Sequence, residues 1–317
     1  MKKNEKDRLI FLGYVTVVIT SFLLGLFPTV TKPIISSVNP LFFSSMVGVA
    51  PFIIFTPVLV STSRRTQRAN VTRPLTGNTQ KAIFGVIIIS SLVGGIAGPI
   101  FYFFGLQGTS AADASLLANA EMVFTIIIAT FAFHEKLNRV GLAAVILVSF
   151  GVIVVATNLQ FGGSTLDFLA PGHILILLSG LCWGTDNNLI TYASERIDVV
   201  KFVVYRSSIA GPTLLLLAYL SSTFPSNASE VGKILLIGLF IFGGALYTNF
   251  LALKWLGAIR STLIFPISSL FGLVAAYLIL REEIGFYQIV SVGIIFVGIY
   301  LMTRTESVRR EYSYDLP

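Results

Sequence analysis

The stretch YFFGLQGTSAADASLL, residues 102–117, joins two long apolar runs with almost nothing between them. The first run occupies residues 82–106 and the second 110–133, and the link lies at Thr109 and Ser110. A transmembrane helix needs about 20 mostly apolar residues, so each run is long enough to cross a bilayer. The sequence therefore predicts two antiparallel helices joined by a tight turn.

Similar runs continue along the 317 residues, of which 55% are hydrophobic and only 12% are charged. A soluble domain carries about twice that fraction of charge, so these values indicate an integral membrane protein. We predict an all-α membrane protein with ten transmembrane helices. The predicted spans are 10–35, 40–60, 82–106, 110–133, 138–157, 172–192, 200–222, 232–253, 257–280 and 285–303.

The basic residues predict the orientation of these spans, because cytoplasmic loops are enriched in Lys and Arg. With a cytoplasmic N-terminus, 18 of the 22 Lys and Arg residues lie on the inner side, Lys32, Lys233 and Arg281 lie on the outer side, and Arg206 lies within a span. Both termini are therefore predicted to be cytoplasmic, in a multi-pass protein of the cell membrane. The net charge of +7 follows from this topology, so we expect no nucleic-acid partner.

The second half of the chain repeats the first. A shift of 147 residues aligns spans three to five with spans eight to ten, and a shift of 159 aligns two earlier positions. Equivalent loops exchange their basic residues, which predicts two inverted five-helix repeats, 10–157 and 172–303, followed by a cytoplasmic tail, 304–317. Examples of aligned pairs are Ala111 and Ala258, Phe124 and Phe271, Glu135 and Glu282, Gly151 and Gly298, Gly25 and Gly184, and Asn39 and Asp198.

Residues 102–117 also carry a family resemblance. Together with AEMVFT at 120–125 and FHEKL at 133–137, they resemble the third and fourth helices of EamA-type permeases in the drug/metabolite transporter superfamily. The second half has similar motifs: CWG at 182–184, LALKWLGA at 251–258, FPI at 265–267 and LREE at 280–283.

This resemblance implies a secondary transporter that moves small metabolites, such as amino acids, through a central cavity by alternating access. Export is the expected direction, although uptake and exchange also occur in the family. Three positions depart from the family pattern. Met122 replaces a common proline, Pro266 lies two residues from the matching place in the ninth helix, and Leu24 precedes Gly25 where tryptophan is common. The resemblance leaves the substrate and the oligomeric state open, and a monomer is compatible with it.

Glu121 is the first candidate for a substrate-binding residue because it lies near the middle of the fourth span. A charge at that depth costs about 2.5–3.5 kcal/mol, and residues that carry such a charge usually face a cavity. A carboxyl group there can bind and release a proton during transport. The alternative is a protonated side chain that hydrogen-bonds to a neighbouring helix.

The sixth and seventh spans also contain polar residues. Trp183 and Asn187 are four residues apart, so they share a helix face that can line a cavity or pack by interhelical hydrogen bonds. We expect Asp186 to pair with a cation. Arg206 and Lys32 can each bind an anionic substrate or extend to the membrane surface. The further candidate cavity residues are Asn119, Tyr102, Tyr205, Tyr247 and Asn249.

Four other residues are expected to have structural roles. Glu135 and Glu282 are expected to open the helices that follow them, and Gly95 and Pro99 are expected to bend the third helix.

The sequence argues against the other protein classes. With two histidines and one cysteine, Cys182, it has no metal-ligand spacing, and we expect no metal, cofactor or enzyme activity. A channel, or a receptor or scaffold without active transport, is the alternative to a transporter.

Overall fold

The computed structural model describes residues 3–69, 77–132, 137, 139–158, 170–194, 196–221, 224, 228–256, 261 and 264–308. All regular structure within these ranges is helical, and the helices are numbered α1–α10 in chain order. Six of them are continuous. They are α1 (Lys3–Ile35), α2 (Pro40–Ala69), α5 (Arg139–Thr157), α6 (Pro171–Ser194), α7 (Val199–Leu220) and α10 (Phe286–Val308).

The other four helices change type or break partway. Helices α3 and α8 each contain a π-helical segment, α4 is interrupted by a turn, and α9 ends in a π-helical segment. Their bounds are α3 (Gly77–Ser90, π Ser91–Ala97, Gly98–Gln107), α4 (Ala111–Leu117, Ala120–Ala132), α8 (Ala228–Leu236, π Ile237–Gly243, Gly244–Leu256) and α9 (Ile267–Ala275, π Ala276–Leu280).

Seven helices in the described part of the chain are long and apolar enough to cross a membrane. They are α1 to α5, α7 and α8. Helix α6 falls outside this set because Asp186, Asn187 and Asn188 lower its hydropathy, and the apolar parts of α9 and α10 are shorter, Ile267–Leu280 and Phe286–Leu301. The structure is that of an all-helical membrane protein, and the count of ten spans stays a prediction.

Helices pack in equivalent ways in the two halves. Helix α1 contacts α8 and α9, and α6 contacts α3 and α4 in the corresponding way. A Cβ atom on Gly25 of α1 would lie 2.7 Å from the Phe271 Cβ, and one on Gly184 of α6 would lie 2.9 Å from the Phe124 Cβ. Both glycines therefore permit close helix crossings. The crossings are equivalent, because a shift of 159 residues relates Gly25 to Gly184 and a shift of 147 residues relates Phe124 to Phe271.

Other helix pairs join the halves, since α2 packs on α7 and α5 on α10. At the second of these crossings, a Cβ on Gly151 would lie 2.6 Å from Ile295, and one on Gly298 would lie 2.9 Å from Val148. The two contacts are equivalent, because the shift of 147 residues relates Gly151 to Gly298 and Val148 to Ile295. A duplicated bundle requires this reciprocity.

Two turns also correspond. One interrupts α4 at Ala118 and Asn119, and the other lies 147 residues later, at Phe265 and Pro266, directly before α9. Each turn has a short-range backbone bond: the Glu121 N–H donates to the Ala118 carbonyl (3.0 Å), and the N–H of Ser268, its equivalent, donates to the Phe265 carbonyl (2.9 Å). Each turn is followed by a helix segment, Ala120–Ala132 in α4 and Ile267–Ala275 in α9.

Two expectations from the sequence, for Glu282 and Lys32, need correction. The Glu282 carboxylate does not open the helix after it, since α10 begins at Phe286. Instead it accepts the N–H groups of Ala111 and Ala112, at 2.9 Å each, and caps α4. Its predicted counterpart Glu135 lies outside the described residues. Helix α10 continues to Val308, and the cytoplasmic tail 304–317 stays a prediction.

Lys32 does not line the cavity. Its ammonium group donates to the carbonyls of Leu106 (2.8 Å), Gln107 (3.2 Å) and Thr109 (2.7 Å) at the C-terminal end of α3. The last carbonyls of a helix have no partner within the helix and carry partial negative charge, so a cation stabilises this end. Lys32 and Glu282 therefore hold the two sides of the α3–α4 turn.

Candidate functional site

A cavity lies between seven helices, α1, α3, α4 and α6 to α9. Its volume of about 80 Å³ has room for several water molecules. Polar side chains from α4, α6, α7 and α8 meet aromatic and aliphatic side chains from α1, α8 and α9 on its walls. Ligand cavities in proteins typically combine a mostly apolar lining with a few placed polar groups.

A chain of three polar side chains crosses the cavity wall. The Asn249 amide of α8 donates to the Asn187 amide oxygen of α6 (3.2 Å), and the Asn187 amide donates to the Glu121 carboxyl oxygen of α4 (2.7 Å). Asn187 also donates weakly to the Thr125 hydroxyl (3.4 Å). Side chains of three helices from both halves thus form one hydrogen-bonded chain that ends at a carboxyl group. We call Glu121, Asn187 and Asn249 the polar patch.

The break in α4 explains the position of Glu121. Because the helix restarts at Ala120, Glu121 lies in the first turn of the segment Ala120–Ala132. The N-terminus of a helix carries partial positive charge, which favours a carboxylate in that turn. Discontinuous membrane helices with their ends at a central site are typical of secondary transporters.

A buried ion pair lies beside this patch. The Arg206 guanidinium of α7 donates to one Asp186 carboxylate oxygen at 2.6 Å, and both side chains are only 4% exposed. The Ser90 hydroxyl donates to the other Asp186 oxygen and accepts from the Arg206 Nε–H (3.1 Å). Asp186 thus pairs with a cation, and Arg206 lines the cavity without extending to the membrane surface.

The π-helical segment of α3 holds the tryptophan. The Gly98 N–H donates to the Val93 carbonyl, and the next residue, Pro99, has no N–H to give to Gly94. The Gly94 carbonyl is therefore free, and it accepts the Trp183 indole N–H at 3.1 Å. The expected bend near Pro99 is a π-helical segment that orients an aromatic side chain.

Aromatic rings form a second continuous part of the wall. The Tyr102 ring lies 5.2 Å from the Trp183 ring and is stacked on the Phe27 ring at 5.7 Å. Phe27 also lies 5.7 Å from Phe242 of α8. We call Phe27, Tyr102, Trp183 and Phe242 the aromatic patch, and all four line the cavity.

Six of the eight residues predicted to bind substrate line this cavity: Glu121, Trp183, Asn187, Tyr102, Asn249 and Arg206. Asn119 does not, because it lies in the α4 break and its side chain donates to the Leu116 carbonyl (2.8 Å). Tyr247 is stacked on Phe55 at 5.3 Å, away from the cavity lining. The further candidate Tyr205 is 46% exposed and also lies away from it.

Sequence reasoning missed the apolar contribution of α1 and the polar residue of α9. Leu24 and Phe27 line the cavity, as does Ser268. One signal was available for Ser268, which lies 147 residues after Glu121. Leu24 and Phe27 are ordinary apolar residues of a membrane helix, so composition alone does not distinguish them.

Comparison with known proteins places the chain in context. A model of the EamA-like transporter family matches residues 11–157 and again residues 170–304. The chain is 24% identical over 297 residues to an "Uncharacterized transporter" of Methanothermobacter thermautotrophicus, covering 92% of this chain and 85% of that protein. It is 26% identical over 208 residues to a "Probable amino-acid metabolite efflux pump" of Escherichia coli, covering 61% and 68%.

A solved crystal structure is also similar, with a TM-score of 0.65 and 14% sequence identity. The match covers 96% of this chain and 99% of that one. At this identity the likeness shows the fold alone.

Proposed function

We propose, because this chain belongs to the EamA-like transporter family, that it is a secondary transporter working by alternating access at the central cavity. The family and its relatives make it a multi-pass membrane transporter, not an enzyme. Amino acids or related small metabolites are the proposed substrates, and export across the cell membrane is the proposed direction. The name of the Escherichia coli relative supports both.

The proposed architecture is ten spans in two inverted five-helix repeats, with both termini in the cytoplasm. Its support is the distribution of basic residues, the two family matches and the equivalent glycine contacts in the two halves. Inverted repeats with a site at their interface allow the same cavity to face either side of the membrane in turn.

The observation that carries the proposal is the hydrogen-bonded chain within the cavity that runs from Asn249 of α8 through Asn187 of α6 to Glu121 of α4. A carboxyl group held by a single amide donor can gain a proton, lose it, or exchange it for a cationic substrate group. Glu121 is therefore proposed to couple substrate movement to a proton gradient.

Flux across proteoliposomes tests this proposal. The purified full-length protein is reconstituted, and movement of a panel of amino acids and related metabolites is measured with and without a pH gradient. We expect Glu121→Gln to abolish the pH-driven component, because an amide cannot carry a proton. The matched control Glu283→Gln removes an exposed carboxylate and is expected to leave flux unchanged.

Two results separate the parts of the proposal. If Glu121→Gln keeps its pH-driven flux, the proton-coupling role of Glu121 is wrong. If the wild-type protein moves no compound of the panel under any gradient, the transport proposal itself fails.

A further inference from the structure

The two halves of the protein place different chemistry at equivalent positions of the cavity. The shift of 159 residues that aligns Gly25 with Gly184 relates three lining residues of α1 to three of α6. The pairs are Leu24 with Trp183, Phe27 with Asp186, and Pro28 with Asn187. Helix α1 thus has apolar groups where α6 has an indole whose N–H bonds Gly94, an ion-paired carboxylate and an amide.

The shift of 147 residues adds three more pairs from the other helices that line the cavity. They are Tyr102 with Asn249, Ala118 with Phe265, and Glu121 with Ser268. Twelve lining residues therefore form six equivalent pairs, and five of these pairs join side chains that differ in polarity or charge. A duplicated cavity with identical halves would offer the same groups twice, whereas this cavity offers two kinds of surface.

The two kinds of surface are each continuous. In the aromatic patch, neighbouring ring centroids lie 5.2–5.7 Å apart from Trp183 through Tyr102 and Phe27 to Phe242. In the polar patch, hydrogen bonds of 2.7 and 3.2 Å join Glu121, Asn187 and Asn249. A molecule that fills the cavity contacts both patches.

We propose that the cavity selects an amphipathic amine or amino acid, with its ammonium group at the polar patch and an aromatic or branched aliphatic group against the aromatic patch. This inference rests on the proposed transport function. Glu121 is the ionisable member of the polar patch and therefore favours a cationic group. A substrate without an apolar group would leave the aromatic faces in contact with water, and one without a polar head would leave polar groups unpaired.

Phe27 determines which apolar group fits. It is 2% exposed and contacts three other rings, those of Tyr102, Phe103 and Phe242. Its equivalent in α6 is Asp186, which is already occupied by Arg206. Phe27 is thus the α1 contribution to side-chain specificity within the aromatic patch. The head group binds Glu121, Asn187 and Asn249.

Two pairs of probe compounds test the inference on the purified full-length protein. Each pair shares a head group and differs by an apolar group: phenethylamine with methylamine, and L-phenylalanine with glycine. Binding is measured by calorimetry, and exchange is measured in proteoliposomes. We expect the larger compound of each pair to bind at least about tenfold more tightly, since burial of a phenyl group is worth that factor or more.

Variants of α1 assign this preference to Phe27. Phe27→Ala is expected to reduce the preference roughly tenfold, and the milder Phe27→Leu, which keeps more of the packing, is expected to reduce it in the same direction. Phe22→Ala is the matched control on the same helix, because Phe22 is 46% exposed and lies outside the cavity lining. It is expected to keep the wild-type preference.

Equal affinity within both pairs, no binding of either phenyl compound, or an unchanged preference in both Phe27 variants would each overturn the inference. If the protein transports other small metabolites under those conditions, the proposed function stands and only the inference fails. If no metabolite is transported at all, the proposed function fails.

Discussion

Removal of one partner from the Asp186–Arg206 pair is expected to destabilise the protein far more than removal of both. Each side chain is 4% exposed, so Asp186→Leu leaves a buried guanidinium without its counter-charge. Breaking a buried pair costs about 3–5 kcal/mol in the free energy of unfolding, whereas replacing both partners by apolar residues is often neutral. We expect the same large loss for Arg206→Met and a much smaller loss for Asp186→Leu combined with Arg206→Met.

The assay is equilibrium unfolding of the purified variants in mixed micelles at one pH, with intrinsic fluorescence as the signal. The double variant should be more stable than either single variant, giving a coupling energy of about 3 kcal/mol or more. Lys233→Met, which removes a cation from an exposed position, is the control and should change stability little. Single losses that simply add in the double variant would refute the reasoning, because they would show that the two charges do not depend on each other.

Two further predictions concern helix contacts. Gly184→Ala places a methyl group 2.9 Å from a β-carbon of α4, so we expect a loss of about 1–3 kcal/mol and a lower thermal unfolding midpoint. Gly293→Ala, which meets nothing within 4 Å, should have little effect, and an equal loss in both variants would contradict the packing argument. Pro99→Ala restores an N–H that competes for the carbonyl now bound by Trp183. In a Trp255→Phe background we expect red-shifted tryptophan emission, and an unchanged spectrum would argue against this competition.

The sequence was informative where a polar group interrupts an apolar run. Glu121, Asp186 and Asn187 cannot face lipid without a cost in free energy, so we expect them to contact polar partners or a cavity. In the structure all three line the cavity. Their partners were harder to predict, because Asn187 reaches Glu121 across 66 positions of sequence. A local sequence pattern does not indicate a contact between residues so far apart in the chain.

The errors have a common physical cause. Glu282 was expected to cap its own helix but caps α4, and Lys32 was expected to bind an anion or extend to the surface but caps α3. Both side chains carry a charge that stabilises a helix end of opposite partial charge. Tertiary packing determines which helix end each one reaches. Asn119 was also a polar residue in an apolar run, yet its side chain bonds the Leu116 carbonyl beside the turn in its own helix.

The symmetry of the fold and the asymmetry of the cavity together constrain the transport mechanism. The turn within α4 and the turn before α9 place the first turns of two helix segments at the cavity, where Glu121 occupies one and Ser268 the other. Two carboxylates at these positions would repel each other in a poorly solvated space, and a single carboxylate avoids that cost. In the proposed mechanism, one proton or one ammonium group neutralises Glu121, so these two species compete for it. Competition of this kind would be the physical basis of exchange, and it depends on Ser268, not a second acidic residue, lying at the position equivalent to Glu121.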